Sequence, residues 1–230
     1  GLAFTNRVAS ELALAGAVIV SGLALGIDSQ AHRALAEAEG RGIAVLANGL
    51  ETVHPYAHLG LARALVAGGG CLLSENPPGT AVQRWHFLSR NRIISGLANV
   101  LLLVEAGLRS GAMRTAGFAL EQGRTVLVMP GRPGDPVVAG CLQMLRDGAI
   151  PATCPEDVLE ELDLKPVTGP RSRLGELGGA AALLEGSAAS FEQLRVASGR
   201  SPAQLLAILG RLELEGRLAR NADGDYFRPG

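Results

Sequence analysis

The sequence has 230 residues and a formal net charge of −1, and hydrophobic residues make up 47% of it but aromatic residues only 3%. This length and composition suit one large aliphatic domain with a small appendage, and the near-neutral charge argues against a surface that is basic all over. A local basic groove stays open, and arginine must supply its charge because Lys165 is the only lysine.

The sequence gives no support for a membrane protein, a secreted protein or a metal-binding protein. No apolar run approaches the roughly 20 residues that span a bilayer, and charged residues near the start argue against a signal peptide. The three cysteines, Cys71, Cys141 and Cys154, are far apart and have neither metal-ligand spacing nor a disulfide framework. We therefore expect a cytoplasmic protein with reduced thiols and no metal, cofactor or membrane segment.

Short apolar runs alternate with helix-like segments over the first two thirds of the chain. Five apolar runs predict strands, at residues 15–22, 41–48, 69–75, 99–106 and 124–131. Most are continuous rather than alternating, which indicates burial on both faces and a parallel sheet. Helical periodicity follows at residues 28–40, 57–69, 110–123 and 138–148. This order predicts an α/β fold with a doubly wound, mostly parallel Rossmann-like sheet.

The composition changes near residue 163. Residues 163–179 are rich in proline, glycine and charge and are interpreted as a linker between a domain at 1–162 and one at 180–230. In the second domain, Ser201 followed by Pro202 is typical of a helix start, and the stretch at 222–227 of a hairpin turn. Three short helices and a hairpin predict a small winged-helix domain.

Ligands of open parallel sheets bind outside the carboxyl ends of the strands, so the turn after each strand is examined for anion-binding groups. After the first strand, Ser21, Gly22 and Gly26 let the backbone approach a ligand, and Asp28 can cap the next helix. The alternative is a tight turn that needs glycine for its own conformation.

A second such turn follows the fourth strand. Ser110 and Gly111 stand at the start of a predicted helix, with Arg109 and Arg114 close by. Ser110 is an N-cap by default. Anion binding is the sharper alternative, and it gains weight from having two such turns at one sheet edge.

Between them, residues 83–96 interleave arginine with aromatic side chains: Arg84, Trp85, Phe87, Arg90 and Arg92. Guanidinium groups can hold phosphates while aromatic faces stack on bases, which single-stranded nucleic acid requires. Core packing is the alternative for the two aromatic residues and is slightly favoured for Phe87. For the arginines the alternative is a solvated segment with salt bridges.

Other polar residues support structural roles. His32, one turn into a helix after Asp28, is interpreted as fixing the turn. Glu75 and Glu105 end two strands, and we expect them to hold arginines in place rather than to act as an acid–base pair. The sequence therefore offers no set of catalytic residues.

Several of these stretches together resemble a known family. "SGLALGIDSQAH", "LLSENPPG", "FLSRNRIISGLANVLLLVEAGLRSGAMRTAGFALEQGR" and "VMPGRPGD" occur in the order found in DNA-processing protein A, the DprA/Smf family of bacteria. The resemblance covers about residues 1–150, and the C-terminal segment fits the family's third domain. It implies an extended Rossmann fold that binds single-stranded DNA without sequence specificity and loads the RecA recombinase onto it during natural transformation. It also implies a homodimer, a contact with single-strand-binding protein in some settings, and no enzymatic activity.

The resemblance carries over to individual residues. The positions that match DNA-contacting motifs, with the two aromatic residues beside them, are Ser21, Gly22, Gly26, Arg84, Trp85, Phe87, Arg90, Asn91, Arg92, Ser110 and Gly111. Leu142 and Leu145 lie on an apolar helix face that is our weaker candidate for the dimer surface.

The chain also departs from the family pattern. Leu25 stands where the family usually has a basic residue, and Ala112 where it usually has serine. Gly1 falls after the place of the family's first Rossmann strand and its G-S-R turn, so we expect the sheet to have an open edge here.

Two other functions compete with this interpretation. One is a phosphoribohydrolase-like Rossmann enzyme, but Phe118 takes the place of the glutamate that such an enzyme needs. The other is a duplex-DNA regulator that acts through the winged helix. Its candidate recognition helix, at 201–216, is apolar and lacks a basic face.

Overall fold

The computed structural model describes residues 1–166, 187–214, 216 and 218–229, together with 177, 180, 181, 183 and 184. The chain divides into two compact units, Gly1–Val167 and Thr168–Gly230. Most of the segment interpreted as a linker, residues 163–179, lies outside the described residues. The exact domain limits therefore stay a prediction.

The first unit alternates helices with short strands. Its helices are α1 (Leu2–Leu14), α2 (Ile27–Glu37), α3 (Leu59–Ala67), α4 (Arg84–Leu97), α5 (Gly111–Glu121), α6 (Ala139–Arg146) and α7 (Pro155–Glu161). Its strands are β1 (Ile19–Ser21), β2 (Gly42–Val45), β3 (Cys71–Leu73), β4 (Val100–Leu103), β5 (Thr125–Val128) and β6 (Ile150–Pro151). A short 3-10 helix at Tyr56–His58 precedes α3.

The strands form two parallel three-stranded sheets, in the orders β1-β2-β3 and β4-β5-β6. Each of the five predicted apolar runs contains one strand, and the predicted α/β fold with parallel sheets is confirmed. The strand β6 was not predicted because two residues carry no readable periodicity. The helix α4 was also not predicted, since residues 93–106 were taken as one continuous buried stretch.

A slot separates the two sheets. The end strands β1 and β4 both line a cavity of about 840 Å³, together with apolar side chains of α1 and α4 such as Val8, Leu12 and Ile94. Since β1 and β4 each pair with one strand only, the open sheet edge expected from the resemblance is present among the described residues.

The second unit contains α8 (Phe191–Ser198), α9 (Pro202–Leu214) and an antiparallel pair of β7 (Ala219–Arg220) with β8 (Tyr226–Phe227). The predicted helix start at Ser201 and Pro202 and the predicted hairpin are confirmed. Of the segment at residues 180–186, where a further short helix was expected, residues 182, 185 and 186 lie outside the described residues. The small core of the second unit is aliphatic with one aromatic residue, and its large side chains are Leu177, Leu184, Leu194, Leu205, Leu209, Leu212, Leu218 and Tyr226. None of the described helices in either unit is long and apolar enough to cross a membrane.

Candidate functional site

The candidate residues of the first unit lie around the carboxyl ends of the strands. The turn at 22–26 follows β1, the turn at 104–110 follows β4, and α4 begins directly after the loop that follows β3. Adjacent residues of α4 reach both sheets, because Arg90 contacts Gly22 and Asn91 donates from Nδ2 to the Gly111 carbonyl at 3.3 Å. The carboxyl ends of the two sheets therefore meet at α4, and we call this region the carboxyl edge.

Arg90 is buried at this edge. Its side chain is only 4% exposed, and Nη1 donates to the Gly22 carbonyl at 2.9 Å and also to the Val45 carbonyl. Burial lowers the pKa of the Arg90 guanidinium from its usual value, and the nearby Asp28 carboxylate opposes that effect. We predicted that Arg90 contacts DNA phosphate, but its guanidinium Nη1 donates to carbonyls at the ends of β1 and β2.

The turn after β1 is held from the other side by Asp28. The Oδ2 atom of Asp28 accepts hydrogen bonds from the backbone N–H of Gly22 at 2.9 Å and of Ala24 at 3.3 Å. The N–H of Gly22 is therefore unavailable to a ligand. Gly26 is exposed and has a φ of 93°, which favours glycine, so it remains open to an approaching anion. Ser21 is half-buried at the end of β1.

The turn after β4 combines a capped helix with unpaired arginines. The Ser110 hydroxyl accepts from the Met113 N–H at 3.3 Å, which confirms its default role as the N-cap of α5. Gly111 is exposed at the first helical position. Arg109 and Arg114 are exposed, and neither side chain has a partner within the described part of the chain.

The first turn of α4 presents a cation and an aromatic face together. Gln83 and His86 form a capping box that starts the helix, so the two residues between them are fixed at its N-terminus. Trp85 is 63% exposed, and Arg84 is exposed with no side-chain partner among the residues described. Phe87 is half-buried and its ring lies 6.1 Å from that of His54. Phe87 therefore packs within the protein, as the sequence slightly favoured, whereas Trp85 faces solvent.

Arg92 lies about two helical turns further along α4 and is paired. Its Nη2 forms an exposed ion pair with Glu75, the carboxylate that follows β3. The expectation that Glu75 holds an arginine is therefore confirmed. Glu105 pairs with no arginine among the described residues, so the same expectation was wrong for Glu105.

Histidines at this edge are arranged differently from the expectation. His58, which the sequence analysis did not select, places Nδ1 2.8 Å from the Leu23 carbonyl and so holds the turn after β1. His32 is fully buried, and within the described residues neither of its ring nitrogens has a hydrogen-bond partner. Burial lowers the pKa of His32 to about 4, although Asp28 opposes this shift. His32 thus supports the turn by packing.

Two exposed residues at the edge were also missed. Tyr56 is 78% exposed in the 3-10 helix after β2, and its loop is held near α4 by the contact of His54 with Phe87. Arg132 is exposed in the loop after β5. The signal available for Tyr56 was an aromatic residue in a polar loop that follows a predicted strand.

The candidate dimer surface is only partly exposed. Leu142 and Leu145 are half-buried on α6, and Leu145 packs against the core beside β4 and β5. The structure describes one chain, so the dimer surface stays a prediction. No group of three or more His, Cys, Asp or Glu side chains arranged to hold a metal ion occurs in the described part of the chain.

A comparison with protein families decides the relationship. The profile described as DNA recombination-mediator protein A matches residues 1–163. The chain belongs to this family. The profile of the DprA winged helix domain matches residues 176–224, so the C-terminal unit is the family's winged-helix domain. The resemblance seen in the sequence is confirmed.

Curated relatives and solved structures agree with this assignment. Protein Smf of Escherichia coli (strain K12) is 50% identical over 151 residues, which cover 66% of this chain and 40% of that protein. The putative DNA processing protein DprA of Mycobacterium tuberculosis (strain ATCC 25618 / H37Rv) is 39% identical over 238 residues, which cover 97% of this chain and 61% of that protein. The chain thus spans only about half the length of these relatives.

Two solved structures share the fold. DNA processing protein A of Streptococcus pneumoniae has a TM-score of 0.63 and 38% identity, over 70% of this chain and 56% of that one. DNA processing protein A of Helicobacter pylori has a TM-score of 0.65 and 29% identity, over 71% of this chain and 75% of that one. The Helicobacter pylori structure was reported for its single-stranded DNA binding mode.

Proposed function

We propose that this chain binds single-stranded DNA along the carboxyl edge, without sequence specificity, and presents it to the RecA recombinase in DNA recombination. The observation that carries the proposal is the pair formed by Arg84 and Trp85, both exposed at the start of α4. A free guanidinium beside an exposed indole can bind a phosphate and stack on the adjoining base.

The charges of the carboxyl edge support an anionic ligand although the net charge of the chain is −1. Two carboxylates of the edge are already engaged: Asp28 by backbone N–H groups and Glu75 by Arg92. Four exposed arginines there have no side-chain partner in the part of the chain that the structure describes: Arg84, Arg109, Arg114 and Arg132. Their guanidinium groups are available to bind phosphates.

The site residues keep distinct parts in this proposal. Arg84 and Arg92 bind phosphates, and Trp85 stacks on a base. Gly26 lets a phosphate approach the N-terminus of α2, after the turn that begins at Ser21. Gly111 does the same at the N-terminus of α5, which Ser110 caps. Because these contacts address the DNA backbone and the faces of bases, binding should tolerate any sequence and weaken with salt.

The family adds partners that no single site on this chain identifies. The Helicobacter pylori relative binds single-stranded DNA, which supports the same ligand here. RecA loading, natural transformation, homodimer formation through Leu142 and Leu145 and a contact with single-strand-binding protein are carried over from the family as parts of the proposal. None of them requires a cofactor or a catalytic step.

Duplex reading by the winged helix is disfavoured by the surface of α9. Its exposed positions are Pro202, Ala203, Gln204, Leu206, Ala207, Arg211 and Leu214, with one cation among them. A helix that reads the major groove normally presents several basic or amide side chains to phosphates and base edges. We therefore place the DNA site on the first unit.

The proposal is tested by the fluorescence of Trp85, which is the only tryptophan of the chain. Titration with oligo-dT should quench this fluorescence, and the binding constant should fall with salt with a slope of about −2 if three phosphates are neutralised. A duplex hairpin of equal length should bind more weakly. Quenching by the duplex but not by oligo-dT, or binding that ignores salt, would refute the proposal.

Removal of the carboxylate beside Arg92 should tighten DNA binding. Glu75→Gln frees the Arg92 guanidinium from an exposed ion pair that is worth about 0.2–1 kcal/mol, so we expect affinity for oligo-dT to rise by a factor of about 1.4 to 5 at low salt. The matched control is Glu192→Gln, which frees Arg195 in the second unit from a similar exposed pair. Equal tightening in both variants would show a general charge effect instead of a role for Arg92.

A further inference from the structure

Arg90 occupies a junction between three elements of the first unit. It extends from the middle of α4, and one of its nitrogens donates to the Gly22 carbonyl after β1 and to the Val45 carbonyl at the end of β2. The guanidinium also lies against the backbone of Gly22, since a Cβ placed there would come within 2.6 Å of Cζ of Arg90. Only glycine fits at this position without displacing Arg90.

We infer that Arg90 is a positioning residue that sets the backbone of the turn at Gly22–Gly26, and that it does not bind phosphate itself. The inference rests on the proposed function, because the turn is one wall of the proposed DNA track. Of the two arginines on either side of Asn91, Arg90 then has a structural role inside the protein, and Arg92, which is exposed, contacts the ligand.

The conformation of the turn shows why it needs external support. Leu23 is fully buried and has a φ of 57°, a left-handed conformation that is unfavourable for a leucine. Such a residue persists only where its neighbours are held. Asp28 holds the N–H of Gly22, Arg90 holds its carbonyl, and His58 holds the carbonyl of Leu23.

Asn91 extends this support to the second sheet. Its Nδ2 donates to the carbonyl of Gly111 at 3.3 Å, and its Oδ1 accepts from Nε of Arg90 at the same distance. The two neighbouring residues thus connect the turn after β1 with the helix start after β4. Arginine suits this place because its planar, multidentate guanidinium can serve several fixed carbonyls, whereas a lysine ammonium on a flexible stem cannot reproduce that arrangement.

The test compares Arg90→Lys and Arg90→Gln with Arg84→Gln, which removes an exposed charge from the same helix. Affinity for oligo-dT is measured across a salt series at a temperature where every variant is folded. We expect both Arg90 variants to weaken binding by roughly tenfold or more while the salt slope keeps the value of the parent chain. Arg84→Gln should instead reduce the slope by about 0.7, the contribution of one phosphate on a single strand.

Hydrogen exchange of the free protein measures how firmly the turn at residues 21–28 is held when no DNA is present. Both Arg90 variants should speed amide exchange in residues 21–28, and Arg84→Gln should not. Leu159→Ala, a buried substitution in α7, is the control for general destabilisation and should leave both this exchange and DNA affinity unchanged. These exchange results hold whether or not the parent chain binds DNA, so failure of the proposed function is distinguishable from failure of this inference.

Two results would overturn the inference. One is a salt slope that falls in Arg90→Gln and is restored in Arg90→Lys, which would mark a direct phosphate contact. The other is unchanged exchange of residues 21–28 in both Arg90 variants, which would show that the turn keeps its conformation without the guanidinium.

Discussion

Trp85→Ala should weaken the binding of single-stranded DNA more than any other single exposed substitution at the carboxyl edge. Stacking of one base on an aromatic side chain is worth about 1–3 kcal/mol, so we expect roughly a five- to 150-fold loss of affinity for oligo-dT. The fold should not suffer, because 63% of the Trp85 surface is exposed. The measurement is the fluorescence anisotropy of a dye-labelled oligo-dT, since the variant has no tryptophan signal of its own.

Two controls separate stacking from other causes. Trp85→Phe keeps an aromatic face and should recover much of the lost affinity. Leu120→Ala removes an exposed apolar side chain of similar exposure near the end of α5, away from the carboxyl edge, and should bind as the parent chain does. A Trp85→Ala variant that binds oligo-dT as tightly as the parent would remove the base-stacking part of the proposed function and leave a track of phosphate contacts alone.

Most of the fold could be predicted from the sequence because buried parallel strands carry a strong local signal. The runs around β2 and β5 are continuous, apolar and bounded by glycine or polar residues, so one interpretation dominates each of them. The helix start at Ser201 and Pro202 could be predicted equally well, since N-cap and first-turn preferences depend on neighbouring residues only. These features depend on short-range chemistry that a single sequence records.

The candidate site was only partly predictable because burial depends on contacts between distant segments. Arg90 and Arg92 are two residues apart, yet the first is buried against Gly22 and Val45 and the second is exposed beside Glu75. Nothing in the local sequence distinguishes the two arginines. A helix was missed at α4 for a related reason: its last residues were taken together with the strand that follows as one buried stretch, and no helix was assigned to them.

The structure also explains how a chain of net charge −1 can offer a surface to DNA. Charge count alone treats every carboxylate as a competitor of the arginines. At the carboxyl edge, however, Asp28 accepts hydrogen bonds from backbone N–H groups of the turn after β1. Glu75 differs, because its partner Arg92 is one of the proposed phosphate ligands. The ion pair therefore lowers DNA affinity, and the single substitution Glu75→Gln should raise it.

The second large effect concerns stability and pH. His32 is fully buried and its pKa is lowered to about 4, against 6.5 in the unfolded chain. Between these two values the unfolded state binds more protons, so the free energy of unfolding should fall as the pH falls from 6.5 towards 4. The full difference corresponds to about 3 kcal/mol, a large share of the stability of a small domain.

Replacement of His32 by leucine should remove this acid sensitivity, because leucine has no group that binds a proton. Urea unfolding of parent and His32→Leu at pH 7.5, 6.5, 5.5 and 4.5, followed by circular dichroism, measures the effect. His54→Leu, an exposed control, should keep the parent's pH dependence. A parent chain of constant stability over this range, or a His32→Leu variant with the same slope as the parent, would show that burial of His32 is not what limits the domain in acid.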